Sequence, residues 1–237
     1  MKPVKLSLAV ALMLAAMPLA AFAQEATEEE ASSPWSWSAA ATSDYVWRGV
    51  SQTDEDPAFQ TGLTYTSPVG VYAGVWASNV DFGAGDPDFE VDGYIGYNVD
   101  FGDNVNFDIM YNEYSYPGAS ELNFGELITK TTFFEDYSFT LAYTNDFGGT
   151  DDTGIYYALG GSWSLPADFG LDVSVGRSTF GDDVGLEDYT DYSVSLSRSF
   201  GPASVSLGYY DTNSAGFENF DYLADSRVVL TISVEAP

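Results

Sequence analysis

The sequence predicts an all-β chain, an antiparallel up-and-down transmembrane β-barrel of about twelve strands. Three observations carry that expectation. Short segments alternate apolar with small polar side chains, as in Leu171-Asp172-Val173-Ser174-Val175-Gly176 and Val205-Ser206-Leu207-Gly208-Tyr209. The connections between them alternate between tight and long. Aromatic residues, 16% of the chain, gather toward segment ends. A strand sends successive side chains to opposite faces. A barrel in lipid therefore needs apolar residues outside and polar residues inside, one residue apart.

In chain order, the first segment stands apart. Lys2 and Lys5 precede an apolar run from Leu6 to Ala16, and Ala21-Phe22-Ala23 has the form of a cleavage site. Residues 1–23 are expected to be a secretory signal peptide. Residues 24–34, QEATEEEASSP, are acidic and without period, and read as a disordered leader. Residues 35–237 are expected to form the barrel.

Strands are expected near 36–48, 57–66, 70–80, 89–100, 104–114, 121–132, 136–145, 154–164, 169–178, 189–199, 202–212 and 226–235. Most match the roughly 9–11 residues that a tilted spanning strand needs. Tight links carry turn-forming residues: Ser67-Pro68, Phe101-Gly102-Asp103-Asn104, Pro166-Ala167-Asp168 and Gly201-Pro202. Phe133-Phe134-Glu135-Asp136 has neither Gly nor Pro. The other connections, such as Asp81 to Asp88 and Thr212 to Asp225, are mostly longer and acidic. A soluble sandwich, the rival fold, gives no reason for loop length to alternate.

Two interfacial girdles are expected from Trp35, Trp37, Tyr45, Trp47, Phe82, Phe89, Phe101, Tyr114, Phe133, Tyr137, Phe147, Phe169, Phe180, Tyr189, Phe200 and Tyr210. The sixth strand conflicts with simple alternation, because Leu122, Phe124 and Ile128 share parity with Glu126 and Lys130. Either a bulge shifts the register, or Leu127 faces out and the charges face in.

Parity also selects a candidate lining. With Tyr45 and Trp47 outward, Asp44 and Arg48 point inward. By the same rule Gln60, Asp92, Asn98, Asn106, Asp108, Asn112, Asp172 and Arg227 point inward. Arg48 with Asp44, Asp92 or Asp108 is the expected ion pair. Arg177 and Arg198 share parity with outward residues and lie near strand ends, where long stems reach headgroups.

Composition narrows the chemistry. The chain holds 36 acidic and 7 basic residues, a formal net charge of −29, so nucleic acid is not an expected partner. It has no cysteine and no histidine, which removes disulfides, thiol chemistry and His-based hydrolysis or metal sites. Acid pairs such as Asp151/Asp152 and Asp182/Asp183 lack the spacing of a calcium loop and read as solvated. No catalytic residue, cofactor or metal is expected.

The stretch Thr42-Ser43-Asp44-Tyr45-Val46-Trp47-Arg48-Gly49-Val50-Ser51-Gln52-Thr53 resembles the N-terminal signature of the TorF family of proteobacterial porin-like proteins. Trp76 to Phe82, Glu90 to Tyr97, Tyr116-Pro117-Gly118, Asp188 to Tyr192 and Asp225 to Val229 resemble later blocks of that family, in the same order. The resemblance implies a Gram-negative outer-membrane barrel, with outer-membrane lipid, lipopolysaccharide and the barrel assembly machinery as partners. The chain departs from the family at Val234-Glu235-Ala236-Pro237, where an aromatic residue usually closes the last strand for recognition by that machinery. The expected function is a passive channel for small cationic or neutral solutes. The alternative is a closed structural or adhesive barrel acting through its acidic outer loops. An enzyme is not expected.

Overall fold

The computed structural model describes residues 33–83 and 87–236. The expected signal peptide, most of the leader and Pro237 lie outside these residues. Twelve strands close into one barrel: β1 (Trp35–Thr42), β4 (Ala58–Thr66), β5 (Val71–Asn79), β6 (Phe89–Asp100), β7 (Val105–Ser115), β8 (Phe124–Phe133), β9 (Tyr137–Thr144), β10 (Gly154–Leu165), β11 (Phe169–Phe180), β12 (Tyr189–Phe200), β13 (Ala203–Thr212) and β14 (Arg227–Ala236). Every neighbouring pair is antiparallel, and β1 closes the ring by pairing with both β14 and β4. Two further strands, β2 (Val46–Trp47) and β3 (Val50–Ser51), form a separate two-stranded ribbon.

The connections sort by end. Residues 67–70, 101–104, 134–136, 166–168 and 201–202 make tight turns at one end. Residues 43–57, 80–88, 116–123, 145–153, 181–188 and 213–226 make longer connections at the other. The turn without Gly or Pro still reverses tightly, because Phe134 and Glu135 both take left-handed φ, 55° and 67°. That geometry matches the twist of the flanking strands.

Sheet closure leaves the apolar rows outside. Leu63, Val75, Ile95, Leu127, Leu159, Val194, Leu207, Leu230 and Ile232 are all exposed on the outer wall. A continuous apolar exterior of this kind suits hydrocarbon, not water. On β8 the register with β7 and β9 is unbroken, so no bulge intervenes. Leu127 is exposed, Glu126 and Ile128 are buried, and the charges face in.

Two expectations fail at the long-loop end. The first strand ends at Thr42, not near 48, and the chain then turns into the barrel. Several expected girdle residues also lie inside. Tyr45, Tyr114 and Tyr189 are buried, while Trp47, Phe82 and Phe180 pack on the buried clusters. Phe147 stacks on Trp47. Tyr210 shares the inward parity of buried Gly208. Trp35, Trp37, Phe89, Phe101, Phe133, Tyr137 and Phe200 remain exposed on the outside.

Leu159 sits midway along β10 and is 60% exposed. Leu159→Arg should lower the unfolding free energy by about 2–4 kcal/mol, the cost of a cation facing lipid at mid-depth. Urea titration of the refolded barrel in lipid vesicles measures this, and an unchanged midpoint would remove Leu159 from the lipid face.

Candidate functional site

The inward segment is a hairpin with Arg48 and Gly49 at its tip. Val46 pairs with Ser51 and Trp47 with Val50. Arg48 has φ 50° and Gly49 φ 81°, the two left-handed residues that a type I′ turn requires. Glycine is required at the second position: a Cβ there would lie 2.6 Å from Thr212 Cγ2 and 2.9 Å from Asp191 Cβ. Arginine at the first position is strained, at a cost of about 1–3 kcal/mol. The strain is offset by what the tip reaches.

Arg48 Nη2 donates to both oxygens of Glu126, at 2.8 and 2.7 Å. Its guanidinium lies over the rings of Trp47 and Tyr156, at 4.2 and 4.3 Å from their centroids. Glu126 on β8 is 0% exposed and also accepts from the Tyr114 hydroxyl at 3.2 Å. A hairpin rooted between β1 and β4 is thereby tied to strands β7, β8 and β10.

A second ion pair fixes its root. Asp44 accepts from Arg227 Nη1 at 2.8 Å, from Ser51 Oγ at 2.6 Å and from Thr53 Oγ1 at 3.1 Å. The Tyr45 hydroxyl donates to Glu90 at 3.0 Å, and its ring meets Trp76 edge-on. The 213–226 connection, with helix α1 (Ser214–Phe220), packs over the hairpin. Val50 joins Tyr189 and Ala224 in a buried cluster there, and the Tyr222 hydroxyl donates to Asp54.

The ten residues expected to line the interior fall into two groups. Asp44, Arg48, Asp92, Asn112 and Arg227 lie in the long-loop half. Arg48 pairs with Glu126 rather than with Asp44, Asp92 or Asp108, because the hairpin carries it past β6 and β7. Asn112 Nδ2 donates to Asp92 Oδ2 at 3.0 Å, and both residues are 0% exposed. Asn98, Asn106, Asp108 and Asp172 lie in the tight-turn half. Asn98 and Asn106 exchange amide hydrogen bonds at 3.1 and 2.8 Å. Asp108 accepts from Tyr72 at 2.7 Å and from Asn98 at 3.2 Å, and stands opposite Lys130 on β8. Asp172 accepts from Ser162 Oγ at 2.8 Å. Gln60, half-buried near the start of β4, also lies in the long-loop half.

Glu126, Glu90 and Asp191 were not among the expected lining residues, yet all three are buried on the inward face. Glu90 shares parity with Asp92, and Asp191 with Tyr189. Arg48-Gly49 between Val46-Trp47 and Val50-Ser51 is also a weak hairpin signal. The expected first strand, 36–48, was longer than a spanning strand needs.

The matching family model covers residues 28–235 and is described as a bacterial protein of unknown function, Gcw_chp. The chain belongs to this family. No curated protein matches the sequence. Solved structures similar in fold include the KdgM porin, with TM-score 0.55 and 9% identity over 85% of this chain and 98% of that one. The NanC porin is similar with TM-score 0.55 and 12% identity over 86% and 99%. A KdgM porin in complex with disordered oligogalacturonate matches with TM-score 0.56. Gcw_chp proteins, on this member, have a porin-like fold.

Removing one partner from a buried ion pair strands the other charge, at a cost of about 3–5 kcal/mol. Glu126→Ala should destabilise the barrel by about that amount in urea unfolding. The double variant Arg48→Met with Glu126→Met should recover most of the loss, since it strands no charge. Equal loss in the single and double variants would show that the pair contributes packing rather than charge compensation.

Proposed function

We propose that this chain is a Gram-negative outer-membrane channel of the TorF type, passing small cationic or neutral solutes by diffusion, with the β2–β3 hairpin as its constriction. One observation carries the reading. The inward face of the tight-turn half is rich in small polar residues and acids, among them Thr64, Asn98, Asn106, Asp108, Thr132, Ser138, Ser162, Asp172, Ser195 and Ser206, with Tyr72 and Lys130 as larger groups between them. An interior of that composition suits water better than packing, as porin lumens require.

The hairpin supports selectivity rather than free flow. It spans the other half of the barrel, and a solute would have to pass beside Arg48, Glu126, Glu90 and Asp92. Acidic side chains outnumber basic ones along that route, which favours cations over anions. The acidic excess makes a polyanion such as oligogalacturonate a poor candidate solute for this chain, although a KdgM porin is described in complex with it. Outer-membrane lipid, lipopolysaccharide and the barrel assembly machinery belong to the same proposal. So does export through residues 1–23.

A closed structural barrel is the second reading. The absence of exposure at Asp92, Asn112 and Glu126 favours it, as does the 9% exposure of Arg48.

Single-channel recording of the refolded chain in planar bilayers separates the two. The channel reading expects discrete cation-preferring openings, and Asp108→Asn with Asp172→Asn should lower the cation-over-anion permeability ratio. Replacing residues 43–57 by a short Asn-Gly turn should raise the unitary conductance. A silent native chain whose shortened form conducts would establish the closed barrel. Silence in both, with correct folding, would sink the channel.

A further inference from the structure

Arg198 interrupts an outward row on β12 that otherwise reads Tyr192, Val194 and Leu196. It lies near the tight-turn end, two residues before Phe200 closes the strand. Its guanidinium carbon is 5.1 Å from the centroids of both Phe169 and Phe200. Two aromatic faces therefore hold the planar group in place. No carboxylate among the described residues forms an ion pair with it, and its N–H donors have no hydrogen-bond acceptor there. The other outward arginine differs. Arg177, toward the long-loop end of β11, donates to Asp188 at 3.4 Å and to Thr190 at 3.2 Å.

Beside the unpaired guanidinium runs a groove of about 280 Å³ lined by Phe169, Leu196, Phe200, Val205 and Leu207. Its apolar walls lead from Arg198 toward the middle of the outer wall. In a chain of net charge −29, a cation fixed over such a groove is a local exception.

We propose that Arg198 and this groove form a specific glycerophospholipid site. The guanidinium takes the phosphate in a two-pronged hydrogen bond, and one acyl chain lies in the groove. Three features select that ligand. Guanidinium matches the geometry of phosphate oxygens and holds them bidentately. Headgroup phosphates lie at the depth where strand ends and aromatic girdles meet the interface. A ligand joining that phosphate to a hydrocarbon tail satisfies the donors and covers the groove together. Neither a free anion nor a neutral lipid does both.

Native mass spectrometry of the full refolded chain in non-ionic detergent tests this, with dioctanoylphosphatidylglycerol as the probe. One lipid per barrel should survive activation that strips detergent. Arg198→Gln should reduce the retained fraction about tenfold, the effect of roughly 1.4 kcal/mol. Arg177→Gln should leave it unchanged. Heat-modifiable gel mobility reports folding in each variant. If Arg198→Gln does not assemble, Arg198→Lys keeps the charge without the planar fork and should still lower retention. Dioctanoylglycerol and inorganic phosphate should each bind far more weakly than the probe. Equal retention of dioctanoylglycerol, equal binding of phosphate alone, or full retention in the Arg198 variants would overturn the proposal.

Discussion

The closure of the sheet is the constraint from which the rest follows. In hydrocarbon, each unpaired backbone amide or carbonyl costs several kcal/mol, so an open edge cannot persist there. Here every barrel strand has a partner on each side, and β1 completes the ring by pairing with β14 on one side and β4 on the other. Closure fixes which residues face out. With the register set on both neighbours of β8, Glu126 has no route to the lipid side, and Leu127 has none to the interior. The buried carboxylate is a consequence of the ring, and a cation must then be brought to it.

The barrel walls do not supply that cation. It comes from the hairpin, and the supply explains a local violation of backbone preference. Arg48 adopts a conformation that asparagine or glycine takes more readily. A residue better suited to the turn would lack the long reach to Glu126. The strain of about 1–3 kcal/mol is smaller than the cost of leaving Glu126 buried alone. The trade links a turn near the start of the chain to a strand some eighty residues later.

The twelve spanning strands were legible because period-two alternation and turn chemistry agree there. β10 through β13 follow the expected spans within two residues. The hairpin was not legible, because Val46-Trp47 and Val50-Ser51 carry the β-branched and aromatic residues of any wall strand. Only a pair of left-handed residues distinguishes them, and Arg-Gly announces that weakly. Aromatic placement misled for a related reason. A ring near a strand end can serve a girdle or cap the interior, and composition treats the two alike. Parity separates them: Tyr114 follows Asn112, and Tyr189 precedes Asp191, both on inward rows. Pairing partners inside the barrel were beyond parity altogether, because they depend on how far the 43–57 connection folds across.

The interior that results is asymmetric along its axis. The long-loop half is packed by aromatic rings that touch in series, from Trp47 through Phe147 and Phe180 to Tyr189 and Phe220. The tight-turn half is lined mainly by short hydroxyl, amide and carboxylate side chains, with Tyr72 and Lys130 among them. Charges in the packed half are shielded from water, so their pairing is strong and discriminating. Charges in the polar half are closer to solvent, which screens them more. The hairpin is the element that creates the difference, since the walls on either side of it are built by the same alternation throughout.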